Sequence, residues 1–307
     1  MSDRPTFTVF IPSYNRADTI GRALDSVRCQ TVDDYEIVVV DDGSTDSTEA
    51  VVRGWEREYG IPVRYHRQPN GGKHRAHNTA VELARGELLM VLDSDDVMKP
   101  TCLADILSAW REIPAAERAA FAGVEGLCET GDGTLHGTPY PADTIDGTHL
   151  EMAGRHGVTG EKRNAIRVDV LKQYPYPEFP GEYHVRPSFL WKRLAAGYRF
   201  RFINKVLHEV DFADGGLTRT ASARRLKNVR GLYAYWQDDV LHHQRFLAPR
   251  QRRKHYSEYI RYALHTGVSI ADQWREVPDR RLWLAALPRG LPNYWADRVK
   301  ARRILSR

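Results

Sequence analysis

Apolar and polar positions fall into alternating blocks along the first hundred residues. Phe7 to Ile11 is almost wholly apolar and predicts a buried strand, which Pro12 is expected to end by removing a ladder donor. Ile20, Ala23, Leu24 and Val27 then recur at helical spacing. Tyr35 to Val40 predicts a second strand, Ala50 to Tyr59 a second helix, and Val63 to His66 a third strand. A Gly-rich turn opening a helix leads to a further apolar run, Leu88 to Leu92. Strands alternating with helices imply right-handed βαβ units and a mostly parallel sheet. Ligands of such sheets sit at the carboxyl ends of the strands. Residues 12–16, 41–46 and 93–96 all lie at those ends, so one cleft can receive all three.

The last of these segments, Asp93-Ser94-Asp95-Asp96, puts three carboxylates in four residues at the end of a buried strand. Such a cluster is costly unless neutralised. Mg²⁺ and Mn²⁺ prefer oxygen ligands and are often held by one or two carboxylates, with substrate phosphates completing the shell. A helix N-cap or a solvated turn is the competing explanation, and for Asp96 an N-cap of the helix near Pro100 is the better one.

Five blocks in order resemble the family 2 glycosyltransferases. They are Pro12-Ser13-Tyr14-Asn15-Arg16; Val40-Asp41-Asp42-Gly43-Ser44-Thr45-Asp46; Asn70-Gly71-Gly72-Lys73 with Ala76 and Asn78; Ala84-Arg85-Gly86-Glu87; and Leu92-Asp93-Ser94-Asp95-Asp96. The resemblance covers roughly residues 6–100, continues loosely to about residue 220 and then stops. It implies an α/β GT-A fold, Rossmann-like with a mostly parallel central sheet and flanking helices. It further implies a nucleotide-sugar donor, most simply a UDP-sugar, a divalent Mn²⁺ or Mg²⁺ ion, and inversion at the anomeric carbon.

The resemblance also implies roles for individual residues. Asp95 would hold the metal, with Asp93 near the ribose or at the metal through water. Asp41 would accept hydrogen bonds from the base or ribose, while Asp42 and Asp46 suit local Asx-turns. Pro12 to Arg16 would wrap the base, with Tyr14 stacking on it and Arg16 steering phosphate. Lys73 would meet phosphate or a base carbonyl at a helix start that favours anions, and Asn78 occupies the family's donor-site position. Arg75 and His77 read as surface residues. The Gly-rich turn lacks P-loop spacing, which argues against an ATPase.

The catalytic base is where the pattern departs from the family. Inversion needs a carboxylate to take the acceptor's proton, usually from a Glu-Asp pair just before a helix. That helix is present as Leu190 to Ala196, with Gly197 at its end, but Arg186-Pro187-Ser188 occupy the acid positions. Glu182 is the nearest acid and the expected base, with His184 as substitute. A chain that has lost activity and serves as a binding or scaffold module is the alternative. Arg219, beside Gly215-Gly216 and downstream of His208, is a candidate phosphate clamp.

Beyond residue 100 the pattern predicts a helix over 101–118 and a strand from Ala122 to Cys128. It predicts loops and short hairpins over 129–160 and a strand at Ala165 to Arg167. A short helix from Val168 to Gln173 should follow, with extended chain at Arg199 to Ile203 and Val206-Leu207. The expected organisation is a donor-binding half over 1–100, an acceptor-binding half over 101–220 and a basic helical extension over 221–307, broken at Pro249, Pro278, Pro288 and Pro292.

Charge is uneven. Residues 245–307 carry fifteen Lys and Arg against five Asp and Glu, whereas the whole chain is only +5, so residues 1–244 are net acidic. The basic part is rich in Tyr and Trp, which suggests an anionic surface as partner. Trp295, Val299, Ile304 and Leu305 with Arg298, Lys300, Arg302, Arg303 and Arg307 read as an amphipathic basic helix suited to an anionic membrane face. The competing reading packs Trp283 and Trp295 against protein, including a second copy of the chain. No nucleic-acid recognition motif is present. No apolar run is long enough to span a bilayer, and with Met1 to Pro5 leading directly into the first strand no secretory signal is expected. With Cys29, Cys102 and Cys128 unspaced and odd in number, a cytoplasmic protein with reduced thiols is expected, peripheral at the inner membrane face. The acceptor is expected to be a glycan or lipid-linked.

Overall fold

The computed structural model describes residues 4–210 and 225–305, with side chains to residue 300. They fall into two compact units. The first takes in the described residues up to Tyr176 together with those from Leu190 to Val210. The second takes in Pro177–Phe189 and those from residue 225 onward.

The first unit is built on one nine-stranded sheet. Its first four strands are β1 (Phe7–Ser13), β2 (Tyr35–Asp41), β3 (Val63–Arg67) and β4 (Leu88–Val91). Helices α1 (Ile20–Arg28), α2 (Thr48–Tyr59) and α3 (Lys73–Leu83) connect them. After β4 come β5 (Val97–Met98), α4 (Cys102–Arg111), β6 (Phe121–Thr130), β7 (Thr144–Gly147), α5 (His149–Arg155), β8 (Lys162–Arg167), α6 (Val168–Leu171), α7 (Ser188–Leu194) and β9 (Arg199–Val210). The sheet order is β3-β2-β1-β4-β8-β6-β9-β5, with β7 on β9. The β3, β2, β1 and β4 pairings are parallel, as the βαβ reading requires. β1 is buried along its whole length, and the apolar faces of α1, α2 and α4 cover the same core. The two expected halves therefore share one sheet, since β4 pairs antiparallel with β8 and β8 with β6.

Four departures from the sequence reading have local causes. β1 runs through Pro12 to Ser13, in register with Val40 and Asp41. Its pairing with β4 ends at Phe10, so by Pro12 one neighbour has already stopped. Helix α4 ends at Arg111, ahead of Pro114. The two extended pieces after Arg199 are one continuous strand, because β6, β7 and β5 all pair with it. Residues 129–160 contain β7 and α5. The latter starts on a capping box in which Thr148 Oγ1 accepts from Glu151 N–H while Glu151 accepts from Thr148 N–H.

The second unit is helical, as expected: α8 (Val229–His242), α9 (Pro249–His265), α10 (Ile270–Glu276) and α11 (Arg280–Leu305). Pro249 starts a helix at its first turn, where its missing N–H is harmless. Pro288 and Pro292 lie inside α11 instead of breaking it. The opposite face of that helix, with Trp283, Ala286 and Asp297, is buried and holds it in place. Asp297 accepts from Arg261 Nε and Nη2 at 2.6 and 2.7 Å, clamping α11 to α9.

Two predictions follow from this packing. Gly86 approaches the backbone of β1 so closely that a Cβ would sit 2.5 Å from Thr8 N. Gly86→Ala should therefore lower unfolding free energy by about 1–3 kcal/mol, the usual cost of overpacking, in a denaturant titration. The second concerns Glu125, buried on β6, which accepts from Tyr140 Oη and Asn164 Nδ2 at 2.9 Å each and lies 2.6 Å from His149 Nε2. Burial alone would raise its pKa, but His149, Asn164 and Tyr140 together hold it below the usual glutamate value. A depressed carboxylate stabilises the fold above its unfolded pKa and loses that contribution as pH falls through the folded one. Glu125→Gln should thus flatten the loss of thermal stability on acidification below about pH 4.5.

Candidate active site

The carboxyl ends of β1, β2 and β4 carry the expected residues, and hydrogen bonds join the loops that follow them. Asn15, with φ of 52°, takes the left-handed turn after β1. Its N–H donates to Ser44 Oγ at 2.9 Å, and its side-chain oxygen accepts from Thr45 N–H at 2.8 Å. Arg16 N–H donates to Thr48 Oγ1 and Ala17 N–H to Asp46. Asp46 thus ties two loops together as well as making its local turn. Tyr14 stands beside this junction 49% exposed.

Asp41 and Asp42 each have partners within the protein. Asp41 is buried, accepts Ser44 N–H at 2.7 Å and takes the Tyr65 hydroxyl on its other oxygen. Burial and this bond push the Tyr65 pKa up. A ligand reaching the Asp41 carboxylate has to displace one of these partners. Asp42 crosses to the Gly-rich loop, accepting Gly71 N–H at 2.9 Å, Gly72 N–H at 2.6 Å and Gln68 Nε2 at 2.8 Å. Two backbone donors expected to face an anion at the start of α3 are therefore held by the protein's own carboxylate. Gly43, at φ +84°, makes room, because a Cβ there would lie 2.9 Å from Asn70 N.

Lys73, at the first turn of α3, reaches back to Asp93 and forms an ion pair with it. Arg163, at the start of β8, bonds the other Asp93 oxygen at 3.2 Å and also Asp96. Burial would raise the Asp93 pKa, but Lys73 and Arg163 overcome it and hold the carboxyl well below the usual aspartate range. Burial pushes Asp96 up to about 6 against the pull of Arg163. Asp96 is therefore part of an ion network and does not cap a helix, since Thr101 precedes α4. Asp95 is the outward member, 38% exposed in its side chain, with Arg16 Nη2 at 3.5 Å. Its backbone carbonyl accepts from Arg22 at 2.6 Å.

These donors bear on the expected cation. Among the described residues, no group of three or more His, Cys, Asp or Glu side chains could hold an ion. The half-exposed Asp95 carboxylate nevertheless fits the pattern in which one or two carboxylates and substrate phosphates share a Mg²⁺ or Mn²⁺ ion. Asp93, with both oxygens on cationic side chains, fits a direct ligand less well.

Other expected site residues have structural partners. Asn78 exchanges two hydrogen bonds of 2.9 Å with the backbone of Tyr176, so its amide pins that segment. His77 is buried, edge-on to Phe10 and Tyr176, and is not a surface residue. His208 is fully buried on β9, where burial and then Arg163 hold its pKa well below the usual histidine value. Arg219 lies outside the described residues.

In the second unit, Glu182 caps a helix. Its two carboxylate oxygens accept Arg230 N–H at 2.7 Å and Gly231 N–H at 2.8 Å, at the otherwise unpaired start of α8. Asn228, beside it, accepts the N–H groups of Tyr183 and His184. Arg186, standing where the family carries an acid, lies 4.9 and 5.3 Å from the ring centres of Tyr235 and Trp236. Sequence reasoning missed Arg163 and Arg22, which no motif marks.

Residues 8–127 match the model of the family described as Glycosyl transferase family 2. A stretch of 109 residues is 41% identical to the chondroitin synthase of Pasteurella multocida strain Pm70, covering 34% of this chain and 11% of that protein. The chain spans between about a tenth and a third of the length of the curated relatives it matches first. S. aureus TarS 1–349, in complex with UDP-GlcNAc, superposes with a TM-score of 0.64 at 19% identity, over 97% of this chain and 92% of that one. The mannosyltransferase PcManGT of Pyrobaculum calidifontis, in complex with GDP-Man and Mn²⁺, gives 0.56 at 21% identity, over 99% and 81%. These structures show the fold, which is the GT-A architecture with a helical C-terminal region. The family match supports the sequence resemblance over residues 8–127.

The cap geometry predicts the behaviour of Glu182. In Glu182→Gln an amide nitrogen replaces one acceptor of a backbone donor, and a charge-assisted bond is lost. Stability should fall by about 1–3 kcal/mol in a thermal or denaturant scan. Turnover should change less than about tenfold, since removing a general base costs ~10²–10⁴. Unchanged stability with a loss of that larger size would return the base to Glu182.

Proposed function

We propose that the chain is a metal-dependent, inverting glycosyltransferase. It moves a sugar from a nucleoside diphosphate sugar, in the first instance a UDP-sugar, to a hydroxyl of a cell-surface polysaccharide or glycolipid. The observation that carries this reading is the convergence of Asp95, Arg16, Asp93 and Lys73, all inside the segment that matches the family, with Arg163 from β8 beyond it, at the carboxyl ends of parallel strands. Donor complexes of proteins sharing the fold, one with UDP-GlcNAc and one with GDP-Man and Mn²⁺, support the substrate class.

Each group has a chemical part in this reading. Tyr14 offers its half-exposed ring to the base, with Pro12 near the end of β1 just before it. Arg16 and Lys73 supply positive charge for the diphosphate, and Lys73 reaches it by exchanging Asp93 for phosphate oxygen. Asp95, with Asp93 behind it, would hold the Mn²⁺ or Mg²⁺ ion, which when bound balances the charge of the departing nucleoside diphosphate. Asp41 keeps Tyr65 and Ser44 in place beneath the donor. Asn78 does the same for the Tyr176 segment, and Arg219 is the proposed clamp from the loop outside the described residues. The acceptor's proton needs a base; Glu182 is expected to fail as one because it caps α8, which makes His184 the next residue to assay.

A second reading has an observation of its own. Glu182 is spent on a helix terminus and Arg186 stands in the family's acid position, which favours a GT-A domain that binds a nucleotide sugar without transferring it. Release of UDP from a panel of UDP-sugars with Mn²⁺ separates the two. Binding without release, with or without acceptor glycans, would support the module.

Asp95→Ala should abolish metal-stimulated release, by about 100-fold or more given the size of single electrostatic contributions to catalysis. Its unfolding midpoint should stay close to that of the wild type, because the side chain is half-exposed. Wild-type protein in excess EDTA should behave like the variant. Full activity in either case overturns the metal part of the proposal.

A further inference from the structure

Helix α11 has two faces of opposite character. The buried face carries Trp283, Ala286 and Asp297, which are 2%, 0% and 5% exposed. The outward face carries Leu284, Trp295 and Val299, which are 50%, 61% and 50% exposed. Pro288, Pro292, Ala285 and Ala296 lie among them and are also exposed. At about 100° per residue these positions share one stripe roughly 120° wide along the helix. Arg280 and Arg298 border it on one side, Arg289 and Lys300 on the other, and Arg281 lies at its N-terminal end. The single carboxylate of the helix, Asp297, is on the opposite face, bound to Arg261.

We infer that this face of α11 is a docking surface for an anionic lipid membrane. An exposed tryptophan within an apolar stripe bordered by cations is the arrangement that lies in the headgroup region, with its apolar side toward the acyl chains. Charge complementarity selects the partner. Two copies of this face would bring like charges together, and a nucleic acid has no use for the apolar stripe. The prolines set the depth. Each lacks an N–H, so the carbonyls of Leu284 and Pro288 lose their helical partners and need water. Such groups are tolerated among headgroups and not in hydrocarbon, and no described helix is long and apolar enough to cross a membrane. Trp283 does not take part, being packed edge-on against Trp274 in the protein interior. The inference goes beyond the glycosyl-transfer reading and does not depend on it.

The test uses the full chain, sedimented with phosphatidylcholine vesicles with and without phosphatidylglycerol, at low and high salt. Binding is expected to the anionic vesicles only and to weaken with salt. Arg289→Gln with Lys300→Gln should weaken it about 25-fold, about fivefold per charge. Trp295→Ser with Val299→Ser should weaken it about tenfold or more, with unfolding midpoints at the wild-type value because all four side chains are exposed. Absence of anionic binding at low salt, equal binding to neutral vesicles, or variants that bind like the wild type would each overturn the inference. So would concentration-dependent self-association lost in the Trp295 variant without vesicle binding, which would assign the face to a second copy.

Discussion

Three carboxylates at the end of a buried strand are tolerable only if cations reach them, and Arg163 is the cation that does so from within the sheet. Its side chain is 11% exposed and meets both Asp93 and Asp96, while Lys73 takes the other side of Asp93. Removing one partner of such a buried network typically costs about 3–5 kcal/mol, because the remaining charge is left uncompensated. The arrangement also sorts the three acids. Two are neutralised in place, and the third, Asp95, is left half-exposed near Arg16. The position of Arg163 depends in turn on β8 entering antiparallel between β4 and β6.

A second constraint prepares the same strand ends. The loops after β1 and β2 are joined through Asn15, Ser44, Thr45 and Asp46, and Asp42 reaches from β2 to Gly71 and Gly72. Three chain segments are thereby held before any ligand arrives, which lowers the ordering cost of binding. The motif residues that look like ligand contacts are in large part the ones holding these loops. Gly86 is an extreme case, since its place in the motif answers to the backbone of β1.

The two units divide the chemistry as they divide the charge. The first carries the acids and the cations paired with them at the strand ends. The second is helical, and three of its carboxylates serve its own packing: Glu182 at the start of α8, Asp297 between α9 and α11, and Glu276 receiving the Tyr259 hydroxyl at 2.6 Å. Among its described residues, the exposed apolar stripe of α11 is bordered by cations.

The alternation of apolar runs and helical spacings was sufficient to place β1 to β4 and α1 to α3, because each is a local pattern whose period matches its element. The same reading located the acidic turn and the Gly-rich loop at strand ends, where a parallel sheet puts its ligand. Local pattern could not supply the partners. Arg163 and Asp93 are 70 residues apart, and Asn78 and Tyr176 are 98 apart. Which side chain a carboxylate meets is decided by sheet order and loop path. That is why Asp42 reaches the Gly-rich loop beyond its local turn, why Asp41 meets Tyr65, and why Glu182 caps a helix. The continuity of β9 and the passage of α11 through two prolines were likewise settled by neighbouring strands and by the packed face of the helix, where tertiary burial outweighs a local propensity of a few kcal/mol.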